Sequence, residues 1–164
     1  MYSLMTDADI DAATAHTIAA AMREVSRSDG SHPAEEALIN SFLEGLPEAG
    51  RGVVNLETVQ APEQREAFLK SLLMVALADG DMTDAELAVV RYYAGRLGVS
   101  DGDLHELVNE VGGYLLSAFH GVHVFRDDVI ALGRSLGVDD AVIERSIDSG
   151  DDAGDDAAPT PGVR

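Results

Sequence analysis

The 164-residue chain contains no cysteine, which excludes a disulfide framework, thiolate metal ligands and a cysteine nucleophile and fits a cytoplasmic setting. Cationic side chains are scarce, 11 against 30 acidic ones, for a formal charge of -19. A surface of that sign repels phosphate, so the chain reads as having no nucleic-acid partner, and cations or basic proteins suit it better. Only Lys70 is a lysine against ten arginines, a bias that a saline cytoplasm or codon usage would equally produce. Long apolar runs are missing too: the longest strongly apolar stretch, 72–78, falls far short of the roughly 20 residues of a membrane span, so no direct membrane insertion is expected. The first ten residues, MYSLMTDADI, lack a basic segment followed by an apolar one. Neither a P-loop nor H-E-x-x-H occurs, and the reading is non-enzymatic.

What is present is helical. Aromatic residues make up only 5% of the chain while 23 residues are alanine, the best helix former, which favours an all-α domain with close small-residue contacts. Ile10, Ile18, Ala21, Met22 and Val25 share one helical face. They predict a helix over 7–28 with Thr6 as N-cap and Thr14 as a polar interruption. Pro33 with Ala37, Leu38, Phe42 and Leu46 predicts a second helix ending near Gly45. The stretch 47–60 reads as a long connection in which Val53 and Val54 supply some packing. From 61 to 79 the chain is apolar nearly all round, as a central helix surrounded by others would be. An amphipathic helix from Thr83 to Leu97 follows, stopped by Gly98. A fifth helix begins after Ser100 and breaks at Gly112-Gly113, a further element covers Tyr114 to Phe119, and short helices at about 127–136 and 139–147 close the domain. The resulting domain spans 1–147, with about seven helices. Residues 148–164, with five aspartates, two prolines and no large apolar residue before Val163, read as a disordered acidic tail.

A shift of 50 residues places Asp29-Gly30 on Asp79-Gly80, Glu36 on Glu86, Val25 on Val75 and Gly45 on Gly95. The pattern predicts two related helical hairpins, about 10–46 and 61–97, each reading helix, D-G turn, helix. Glycine after the aspartate supplies the left-handed residue that closes the first helix. Seven residues after the aspartate, Glu36 and Glu86 open the next helix, so an outgoing and an incoming carboxylate face each other across each turn. Paired anions call for a compensating cation or hydrogen bond. Asp79, Asp81, Asp84 and Glu86 with turn carbonyls supply much of the six-to-eight oxygen set that calcium takes. The competing reading is helix chemistry alone, since Thr83-Asp84-Ala85-Glu86 is a capping box in which Glu86 reaches back to the N-cap amide. A true EF-hand is excluded in both turns, because Val75 and Leu77, like Val25 and Arg27, stand where its first aspartates belong. His32 lies inside the first turn, where it is either a ligand or a cap, and His120 with His123 forms an H-x-x-H more simply explained by packing or exposure.

The apolar helix running into A-D-G, the acidic turn, then Glu86 and an amphipathic helix, Leu72 to Leu97 and more faintly Met22 to Leu46, resembles the tellurite-resistance TerB-like family. The resemblance implies an all-α stress-response domain of two related halves, with turn acids suspected of holding divalent cations. Carried across, these acids are Asp29 and Glu36, then Asp79 and Glu86; geometry adds Asp81 and Asp84. In the first turn Ser31, His32 and Pro33 replace the acidic residues. Such domains also occur attached to co-chaperone and membrane-linked stress proteins, which implies a protein partner, soluble or membrane-associated. The functional expectation is therefore cation binding, calcium foremost, coupled to protein interaction; the alternative is a plain interaction module whose turn acids only cap helices.

Overall fold

The computed structural model describes residues 10–44, 52–118 and 126–151. Within them the secondary structure is helical throughout: α1 (Ala12–Ser26), α2 (Pro33–Leu43), α3 (Pro62–Ala76), α4 (Asp84–Leu97), α5 (Asp101–Ala118), α6 (Arg126–Ser135) and α7 (Asp140–Asp151), with a 3-10 turn at Leu56–Thr58. The all-α fold of seven helices read from composition and periodicity is therefore the observed one.

Local chemistry sets most of the boundaries. Asp11 caps α1 by accepting the Thr14 amide at 2.8 Å, so the helix starts at Ala12, inside the expected span of 7–28, and Ile10 precedes it. Thr6 lies outside the described residues. Pro33 occupies the first turn of α2 and Pro62 that of α3, where a missing amide hydrogen costs nothing. Gly98 ends α4 in the left-handed conformation at φ 73°, and Gly30 and Gly80 take positive φ at the two D-G turns.

The core forms around α3, in which every residue from Ala67 to Ala76 is buried. It packs against α1, α2, α4 and α5, which is why no polar stripe interrupts it. Phe68 lies edge-on to Tyr93 of α4, ring centroids 5.4 Å apart. Lys70 is drawn into this core and ion-pairs with Glu66 at 2.7 Å and with Glu110 of α5 at 2.5 Å. Burial alone would lower its pKa, but the two carboxylates outweigh burial and raise it.

Three expectations change here. Thr14 is no interruption: it is fully buried, and its hydroxyl donates to the Thr58 carbonyl at 2.8 Å, while Thr58 Oγ1 donates to Thr17 Oγ1 at 3.0 Å. These bonds bind the long connection to α1; of the pair expected to pack, Val54 does pack against the core, beside the buried Val59, whereas Val53 is 86% exposed. The Gly112-Gly113 pair does not break α5, which runs unbroken to Ala118. A Cβ on Gly112 would lie 2.2 Å from Val138 Cγ2 and one on Gly113 3.0 Å from Val142 Cγ1, so these glycines admit the start of α7 rather than ending a helix. Finally, α7 continues to Asp151, past the expected tail boundary at 148; the remaining tail, like His120 and His123, lies outside the described residues.

Candidate functional site

Both helices that follow the D-G turns begin with a capping box. At α4, Thr83 Oγ1 accepts the Glu86 amide at 3.3 Å, and Glu86 Oε2 in return accepts the Thr83 amide at 2.8 Å and its hydroxyl at 2.9 Å. At α2 the N-cap is His32, whose Nδ1 accepts the Ala34 amide at 3.3 Å, and Glu35 Oε2 accepts the His32 amide at 2.9 Å. His32 is thus a capping group. Reaching back in this way folds each glutamate against its own helix start. Glu35 is 2% exposed and Glu86 1%, a burial that carboxylates rarely reach without compensation.

The two glutamates meet. Because α1 and α2 pack together on α3, and α1 also packs on α4, the first turns of α2 and α4 abut. Carboxylate oxygens of Asp29, Glu35 and Glu86 all lie within 4.8 Å of one another, with Asp29 on the exposed side. Burial pushes the Glu86 carboxyl up to about 7; the Thr83 bonds oppose that rise, while hydrogen-bond contact with Glu35 and the charge of Asp29 add to it. Glu86 Oε1 is buried and has no donor. Two abutting carboxylates away from water need either a shared proton or a cation between them.

The expected site residues therefore divide. Asp29 and Glu86 come together, although they belong to different hairpins. Glu36 does not join them: it is exposed and lines a separate pocket with Arg23, Arg27, Ser31 and Asn40. Asp79, Asp81 and Asp84 are exposed and stay outside the carboxylate cluster. Asp79 Oδ1 instead accepts the Asp81 amide at 3.1 Å. The expected pairing across a turn is thus kept only at the first, with Glu35 in place of Glu36 opposite Asp29; Glu86 joins it from the other hairpin, and Asp79 stays outside. At the second turn α6 packs on the backbone: Ser135 Oγ donates to the Gly80 carbonyl at 3.2 Å, and a Cβ on Gly80 would touch Leu132.

Sequence reasoning missed Glu35. The 50-residue shift assigned its role to Glu36, but the first turn is one residue shorter, three steps from Asp29 to the N-cap His32 against four from Asp79 to Thr83. Counting from the N-caps gives a glutamate at the third helical position in both hairpins, the signal that would have found it.

A family model described as "Tellurite resistance protein TerB" matches residues 51–109. No curated protein and no solved structure matches the chain. The resemblance to the TerB-like family is borne out over that segment, which holds α3, α4 and Glu86; Asp29 and Glu35 precede it.

Proposed function

We propose that this chain, TerB-like and tellurite-resistance-associated over residues 51–109, is a non-enzymatic module that holds a divalent cation between its two hairpins through Asp29, Glu35 and Glu86. The observation that carries the reading is the buried, donor-less Oε1 of Glu86 beside two further carboxylates. A cation there would compensate the charges and cross-link the starts of α2 and α4, so occupancy would be felt as rigidity of the two hairpins α1–α2 and α3–α4. The acidic turn residues of the second hairpin take no part. A stress response is the setting that the resemblance suggests, and the lack of cysteine fits a cytoplasmic one.

The test is a thermal melt of the full chain in chelator and after addition of magnesium, manganese, calcium or zinc chloride. Binding to the folded state alone raises Tm with concentration, by the equivalent of about 2.7 kcal/mol at a hundredfold excess over Kd. The reading fails if none of the four ions moves the transition beyond the effect of sodium chloride at equal ionic strength.

A protein-contact role has its own support. Val53 and Tyr92, 86% and 55% exposed, line one groove together with Leu56, Tyr93 and Arg96. The Arg96 guanidinium stacks 5.8 Å over the Tyr92 ring and donates to its hydroxyl at 2.9 Å, and a pre-ordered aromatic of this kind suits an interface. Partner capture by wild type, by Tyr92→Ala and by a chain ending at 151 separates groove from tail. Unchanged capture by Tyr92→Ala would remove the groove from consideration.

A further inference from the structure

The capping boxes constrain which cation the site takes. Glu35 Oε2 is held by the His32 amide and Glu86 Oε2 by the Thr83 amide and hydroxyl. Clamping a metal with both oxygens would compete with these bonds at Oε2, which in Glu86 already accepts two and in Glu35 one, and so would loosen the helix starts. Each glutamate therefore offers one oxygen, its Oε1. Asp29, on the exposed side, adds one or two, so the three acids bring three or four oxygens. Asp79, Asp81 and Asp84, which would be needed for a fuller cage, lie elsewhere.

We propose that the inter-hairpin site selects a small, six-coordinate divalent cation of the magnesium and manganese class, bound by Glu35, Glu86 and Asp29 with water completing its shell on the Asp29 side. This rests on the cation reading above and deepens it by replacing calcium as the expected ion. Calcium takes six to eight oxygens and commonly a bidentate carboxylate, whereas magnesium accepts a few monodentate carboxylates and keeps several waters. Softer metals are disfavoured because the donors are all oxygen; the Nδ1 of neighbouring His32 is already engaged by the Ala34 amide. Ligands on opposite sides of an ion at about 2.1 Å stand about 4.2 Å apart, and the oxygens here lie within 4.8 Å of one another, so small rotamer shifts close the set.

The decisive experiment is calorimetric titration of the chelator-stripped full chain with manganese, magnesium and calcium chloride in turn, with water-proton relaxation of the bound manganese. Manganese is expected to bind with about three retained waters, magnesium to displace it, and calcium to bind at least about tenfold more weakly. Glu86→Gln keeps the capping acceptor and Asp29→Asn alters an exposed group; each should weaken manganese at least about tenfold. Should Glu86→Gln fail to fold by circular dichroism, Asp29→Asn alone decides. Calcium binding more tightly than magnesium and manganese, or manganese bound without water, overturns this selectivity while leaving the cation reading intact. Absence of binding by all three, or manganese affinity unchanged in the folded variants, overturns both.

Discussion

Glu86 does two jobs that compete for its charge. As the third residue of α4 it accepts the Thr83 amide and hydroxyl, which favours the carboxylate, yet burial beside Glu35 and Asp29 disfavours it and wins, raising the pKa from 4.5 to about 7. A carboxyl raised in this way holds its proton more tightly folded than unfolded. Its contribution to stability is complete below about pH 4.5 and is lost as the pH climbs through 7. In chelator, the chain should therefore lose up to about 3 kcal/mol between pH 5 and pH 8 on account of this group. Glu86→Gln should flatten that decline, as followed by urea midpoints across the window. Parallel curves for the two proteins would refute the assignment. A cation competes with the proton, so metal affinity should weaken below pH 7. At this scale Asp29 and Glu86 were legible as D-G and E in a repeated turn. Glu35 was not, because one residue along a helix rotates a side chain by about 100°: Glu36 points away, while Glu35 points at Glu86.

The helices show where local rules suffice and where neighbours override them. Pro33, Thr83 and Gly98 mark their boundaries as capping chemistry requires, and the apolar girdle of α3 identified it as central. Gly112 and Gly113 misled, since glycine in a helix interior reads as a break until a packed partner accounts for it. Two substitutions separate these meanings. At Gly95 of α4 nothing lies within 4 Å of a new Cβ, so Gly95→Ala should raise stability by about 0.5–1 kcal/mol. At Gly112 the methyl would meet Val138 Cγ2 at 2.2 Å, on a β-branched side chain with little freedom to turn aside. Gly112→Ala should cost about 1–3 kcal/mol through overpacking despite its better propensity. Opposite shifts in Tm verify the pair; a stabilised Gly112→Ala would mean that α5 and the turn between α6 and α7 do not pack so closely. Asp139 reinforces that junction, accepting from Asn109 Nδ2 at 2.8 Å with His105 Nε2 3.2 Å away.

For the whole molecule the dominating quantity is the charge of -19. Like charges crowded on a small surface destabilise the compact state, and salt screens them over a Debye length of about 10 Å at 0.1 M. Raising sodium chloride from about 0.05 M to about 0.5 M should increase Tm, and magnesium at matched ionic strength should increase it further through the inter-hairpin site. A transition that falls with sodium chloride would show that attractive pairs, such as Lys70 with Glu66 and Glu110, outweigh the net repulsion.

Helix content, most helix limits and the buried character of α3 were already decided by the sequence alone, because propensity, capping and apolar period act over a few residues. The lack of cysteine likewise removed thiolate chemistry, and the excess of acid set the sign of the surface charge. Which acids meet was settled only by tertiary structure. Asp29 and Glu35 reach Glu86 through the docking of α1 and α2 on α3 and α4, across some fifty residues of chain, and no local rule carries a one-residue register over that distance.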